Sequence, residues 1–241
     1  MPDLTPWLQE WPWRPGRLDV RRATGADGRL LLQVRIEMGF VQMEADGRPD
    51  GQGFRNAPSA LAWFEGEGVA QPIDTAHVSA LAVEMSQRRQ RGLACAALED
   101  WGRVRRDALD NLRALDLLAA RAVEPVDRAR FEPWRPHELA MRARAEAAVG
   151  LAAGRRDLAI AALEAGLRSV QESLQRQGRG DRVDVAPEVG LLRTLLDALA
   201  LKLPASQRLE IERRLREAVM SENYELAAIL RNELRMMEGG A

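Results

Sequence analysis

Lysine is almost missing from this chain. Lys202 is the only one, so nearly all positive charge rests on arginine. That bias reads first as GC-rich codon usage and second as a preference for the planar, bidentate guanidinium. Cysteine is nearly as scarce: Cys95 stands alone, which excludes an internal disulfide and a cysteine zinc site, and its alanine-rich surroundings mark a buried, inert thiol. The two histidines, His77 and His137, lie in no pattern for a metal or a general base and read as structural. There is no Gly-rich phosphate loop, no nucleophile elbow and no apolar run long enough to span a bilayer. The first residues hold Asp3, Glu10 and several prolines where a signal peptide would need an apolar core. With a formal net charge of -1, nothing draws the whole chain to nucleic acid or to an anionic membrane. These absences lead to the expectation of a soluble bacterial cytoplasmic protein, not an enzyme, with no metal and no cofactor.

What is present divides the 241 residues into four stretches. Residues 1–16 form an arm with three tryptophans and four prolines, and proline argues against a regular helix through most of it. Its tryptophans need a surface to lie on, which makes the arm a clamp on its own domain or a docking peptide. From 17 to 44 the period is that of strands: Leu18 and Val20, a turn at Gly25–Gly28, then Leu30, Leu32, Val34, Ile36 and Met38. Phe40, Val41 and Met43 follow out of phase after Gly39, as a bulge or a change of face would make them. Gln42, Glu44, Arg48 and Asp50, in and before the turn-forming run of residues 46–51, are the candidate polar site, either for a ligand or simply as an ion-paired turn. Residues 52–76 read as a linker enclosing one short helix around Leu61–Phe64.

Beyond residue 76 the period is helical, with helices expected over 78–98, 101–122, 136–153, 156–177 and 187–203. Two pairs of these helices look like degenerate relatives of tetratricopeptide repeats, in which small residues let paired helices approach closely. Gly92 takes the small slot of the first pair; Ala147, Gly154, Ala159, Leu163 and Gly166 serve the second. Arginines at 88, 89, 91, 103, 105 and 106, extended by 142, 144, 155 and 156, raise the question of a basic surface for nucleic acid. Glu99, Asp100, Asp107 and Asp110 are interleaved with them, and no stacking aromatics accompany them, as on a salt-bridged helix face.

The chain closes on a helical hairpin at 204–241, built on Ile211, Leu215, Ala218 and Val219 and then on Ala227, Leu230, Leu234 and Met237, with Tyr224 at the start of its second helix. Glu222, Tyr224, Glu225, Ala227, Ala228, Leu230 and Arg231 resemble the UVR motif, the hairpin shared by two components of the bacterial excinuclease and by some Clp-type unfoldases. Asn232 stands where the motif usually has Asp. The kinase activators that also carry the motif are built around paired CxxC zinc sites, which this chain lacks. In the family the motif makes protein–protein contacts. The resemblance therefore implies partner binding through Leu215, Val219, Tyr224, Ala227, Leu230, Arg231 and Leu234, the partner being a UVR-containing protein, a Clp-type unfoldase or a second copy.

The expected architecture is α+β, mostly α: a small N-terminal β-hairpin element, a tetratricopeptide-like helical body over 77–203 and the C-terminal helical hairpin. The expected function is that of a non-enzymatic adaptor. The rival is an accessory factor of nucleotide excision repair that touches DNA through its arginine-rich helices.

Overall fold

The computed structural model describes residues 4–200, 205–220, 226–227 and 229–231. The alternating stretch becomes three strands: β1 (Val20–Thr24), β2 (Leu30–Ile36) and β3 (Gly39–Glu44), antiparallel and in sequence order. Gly28, with φ of +83°, closes the first turn in a conformation that suits a residue without Cβ. The phase break at Gly39, expected as a bulge or a change of face, is a second turn, Glu37-Met38, because Ile36 pairs with Gly39 and Leu32 with Met43. A two-residue reversal moves the inward set from even to odd numbers, and that is the signature a bulge also leaves. The arm holds one short helix and otherwise lies on its own domain, one of its two expected readings. Pro6 stands in the first turn of that helix, α1 (Thr5–Glu10), where its missing N–H costs nothing. The rest of the arm is tied to the sheet: Arg35 Nε donates to the Trp11 carbonyl at 2.6 Å, Arg21 lies 4.3 Å over the Trp11 ring, and Arg14 grips Asp19 at 3.0 and 2.8 Å. Trp7 stays exposed.

Residues 52–76 are not a free linker. They hold α2 (Ala60–Glu65), whose Ser59 cap accepts from Ala62 N at 3.0 Å and whose Leu61, Trp63 and Phe64 are buried. Behind them come α3 (Thr75–Ala97), capped by Asp74, and α4 (Trp101–Arg121), capped by Asp100. The short helix α5 (Pro125–Ala129) and a 3-10 turn, Glu132–Trp134, carry the chain to α6 (Arg135–Ala152). Gly154, with φ of +71°, turns it into α7 (Arg156–Arg176); a second 3-10 turn, Gly180–Val185, leads to α8 (Pro187–Ala200). Further on comes α9 (Ala205–Met220). The described part of the chain is thus α+β and mostly α.

One helix joins the three cores of the body. Leu112 of α4 meets Leu139, Leu163, Val170 and Leu192 of α6, α7 and α8. Its Leu115 and Leu118 pack with Phe64, Leu81 and Met85, and its Val104 and Ala108 with Leu32, Cys95 and Met141 beneath the sheet. Close approach occurs in the second helix pair, where a Cβ on Gly166 would stand 2.2 Å from Ala143 Cβ. Gly150 abuts the backbone of the fully buried Ala159. Gly92 does not play this part in the first pair: a Cβ there meets nothing within 4 Å.

The two glycines are therefore expected to respond in opposite directions to alanine. Gly92→Ala should raise stability by about 0.5–1 kcal/mol through helix propensity alone. Gly166→Ala should lower it by about 1–3 kcal/mol, because the overlap with Ala143 outweighs the same propensity gain. Thermal melts of the two variants beside the parent check this; shifts of the same sign in both would refute the packing difference.

Candidate functional site

The loop that follows β3 is where sheet and helices meet, and the four candidate loop residues lie in or beside it. Glu44 accepts from Arg29 at 2.6 Å, and Gln42 accepts from Gln33 at 2.9 Å across the sheet. Arg48 pairs with Asp50 at 2.9 Å, and Asp50 also accepts from Gln87 of α3 at 3.0 Å. Asp46 lies under Arg103 and Arg106 of α4 at 2.8 and 2.6 Å, and these two guanidiniums hold its carboxyl down at about 2. Arg48 and Asp50 thus pair within the turn while Asp46 and Asp50 reach α4 and α3, and Arg48 Nε is buried without a hydrogen-bond partner.

The residue that anchors this loop figures in the sequence pattern only as one arginine of a candidate basic surface. Arg91 of α3 is 1% exposed. It takes Asp107 of α4 bidentately, at 2.8 and 2.7 Å, and donates through Nη1 to the carbonyls of Glu44 and Gly47 at 2.9 and 2.8 Å. Two turns earlier, buried Glu84 accepts the N–H of Ala60 at 2.7 Å at the start of α2 and pairs with Arg88. Asn111 of α4 donates to the Met85 carbonyl at 3.0 Å. A charged layer thus runs through the interface of α3 and α4, binding the sheet at one end and α2 at the other.

Where α6 crosses this layer there is a cavity of about 10 Å³, roughly the room one water needs, bordered by Arg88, Arg89, Gly92, Asp107, His137 and Glu138. Arg88 Nη1 and Glu138 Oε1 are buried there without hydrogen-bond partners. Burial pushes the Glu138 carboxyl up to about 7, against the pull of Asn111 and Arg89. Burial, helped by the Arg89 charge, pushes His137 down to about 4. A carboxyl and an imidazole at neighbouring positions are both driven toward their neutral forms. The other histidine, His77, sits in the first turn of α3, stacked on Trp63 and 2.8 Å from the Arg55 guanidinium.

Six of the ten clustered arginines are buried or engaged by carboxylates. Arg88 and Arg91 are buried; Arg103 and Arg106 are engaged by Asp46, Arg105 by Glu146 at 3.2 Å, and Arg155 by Asp157 at 3.1 Å. Arg144 lies 4.9 Å over the Trp101 ring. Cys95 is fully buried, and burial pushes its thiol up to about 12. Among the described residues no group of three or more His, Cys, Asp or Glu is placed to hold a metal ion, and no helix is long and apolar enough to cross a membrane.

The described residues of the C-terminal stretch contribute a small core of their own. Ile211 and Ala218 of α9 pack with Ala227 and Leu230 of the following helical residues, and Leu215 and Leu226 flank them. Among the described residues, none of the body's three clusters includes a residue of this hairpin. Ala227 and Leu230 are consumed inside it, whereas Val219, Met220 and Ile229 point outward, 51, 86 and 59% exposed. Arg231 is exposed. Tyr224 and Leu234, with Glu222, Glu225, Ala228, Asn232 and Met237, lie outside the described residues. Comparison with models of protein families, with curated proteins and with solved structures finds no match.

Proposed function

We propose that this chain is a non-enzymatic cytoplasmic adaptor that engages a partner protein through its C-terminal hairpin. One observation carries the reading: the hairpin has a core separate from the body's, yet turns Val219, Met220 and Ile229 to solvent. With four buried residues among those described, the hairpin has little stability of its own, and covering the outward residues supplies what it lacks. The resemblance of 222–231 to the UVR motif supports a partner carrying the same kind of hairpin. Exposed Arg213, Arg214, Arg216 and Glu217 around that face would set the choice among such partners.

The direct test is calorimetric titration of the full chain with a synthetic UVR hairpin of the bacterial excinuclease, and separately with a hairpin peptide of this chain's own residues 205–241. Saturable binding is expected with at least one of them, weakened about ten-fold or more by Val219→Asp with Ile229→Asp. Both positions are exposed, so the variant should keep the parent's far-UV spectrum and melting temperature. Absence of heat with both peptides, or equal binding by the variant, would overturn the assignment of this face.

A further inference from the structure

The sheet has two edges, and they are built differently. Arg35 N donates to the Asp19 carbonyl at 2.9 Å and Ala45 N to the Leu30 carbonyl at 3.0 Å. With the pairing register, this fixes the parity: odd residues of β2 bond to β1 and even ones to β3. The outer edge of β1 is therefore formed by Val20, Arg22 and Thr24, and that of β3 by Phe40, Gln42 and Glu44. On β1, Arg21 and Arg22 put charge on the strand, and Arg22 reaches Asp100 of α4 at 3.7 Å. Charge on an edge strand is the usual guard against pairing with another chain.

The β3 edge carries no such guard. From Gly39 to Met43 it holds no charged side chain, and Glu44 is neutralised by Arg29. Glu44 N is already used by the Pro49 carbonyl at 2.9 Å, which closes that end. Phe40 and Gln42 are left with N–H and C=O directed outward. Beside them the sheet face that carries Val20, Val34 and Val41 runs on past the part covered by helices, into exposed Leu18 and Ile36, with Met38 at the turn tip.

We propose that β3 pairs antiparallel with β3 of a second copy of this chain, joining the two three-stranded sheets into one. The register follows from the parity. With a two-fold axis through Val41, Phe40 faces the partner's Gln42 as a hydrogen-bonded pair, and Val41 meets the partner's Val41 at the close, non-bonded spacing. No like charges come together on the axis. The row Val20, Val34, Val41 continues into the same row of the other copy, so the edge is complementary to itself in backbone and in side chains.

The test is sedimentation velocity of the full chain over rising concentration, with Val41→Lys, Gln42→Pro and a form lacking 205–241. Val41 is 37% exposed, so lysine there spares the fold while placing two like charges on the axis. Gln42→Pro removes the outward N–H. The parent and the truncated form should dimerise, with slowed amide exchange at Phe40 and Gln42 on association. Val41→Lys should weaken the dimer about ten-fold or more, and Gln42→Pro should do the same. A parent that stays monomeric throughout would overturn the proposal, as would a dimer of unchanged affinity in Val41→Lys. Loss of the dimer on removing 205–241, with Val41→Lys unaffected, would also overturn it and assign self-association to the hairpin.

Discussion

Replacing Arg91 by methionine is expected to lower the unfolding free energy by about 3–5 kcal/mol, the cost typical of breaking a buried ion pair from one side. Arg91 uses both ends of its guanidinium: Asp107 accepts two of its N–H groups, and the Glu44 and Gly47 carbonyls accept from Nη1. Methionine fills much of the volume but leaves the Asp107 carboxylate with only Arg106, at 3.6 Å, and two carbonyls without a donor. Urea unfolding gives the magnitude. The double variant Arg91→Met with Asp107→Leu should recover part of the loss, since it removes the stranded charge with its partner. The two orphaned carbonyls remain, so recovery should be incomplete. A second readout separates clamp from core: amide exchange in residues 44–51 should quicken in both variants, because the loop has lost its donor in each. If Arg91→Met costs less than about 1 kcal/mol, the guanidinium is not what fastens the sheet to the helices.

Much of this architecture is legible in the sequence, because the helical period is strong and its stops are chemically plain. The expected span 101–122 is Trp101–Arg121 with Asp100 as its cap, and 156–177 is Arg156–Arg176 after the turn at Gly154. The third strand is hidden because a two-residue reversal and a bulge leave the same change of phase, and only cross-strand pairing separates them. The clamp is hidden for another reason. On α3, Glu84, Arg88 and Arg91 fall in the same stripe as Leu81, Met85 and Cys95, and on α4 Asp107 and Asn111 share a stripe with Val104 and Leu115. Read as charges, they suggest a solvated face; read by phase, they sit where only paired or hydrogen-bonded polar groups survive. The signal is thus present in their spacing. Gly92 shows the converse limit, since a glycine in a packed helix marks a close approach in one place and the rim of a cavity in another.

The neighbours Glu138 and His137 should give the protein two opposite pH dependences that largely hide each other. Glu138 has an ordinary value of 4.5 and stands at about 7 in the fold, so between those values the folded state holds a proton that the unfolded chain has lost. Its contribution is full below pH 4.5 and is lost as pH rises through 7, by roughly 3 kcal/mol at most. His137 has an ordinary value of 6.5 and stands at about 4, so between them the unfolded chain holds the extra proton. Its contribution is full above pH 6.5 and is lost as pH falls through 4; it is smaller, because the ring is only half-buried. From about pH 4.5 to 6.5 the two slopes oppose each other, and the parent's stability should change little on their account. Glu138→Gln leaves His137 alone, so its stability relative to the parent should climb with pH across 4.5–7. His137→Asn leaves Glu138 alone, and its relative stability should fall with pH across 4–6.5. Urea midpoints at half-unit pH steps supply both difference curves, in which the carboxylates common to all three proteins cancel. Flat difference curves would mean that neither group is held neutral at the crossing of α6 over the charged layer; curves of the same sign would mean that one of the two burials is misassigned.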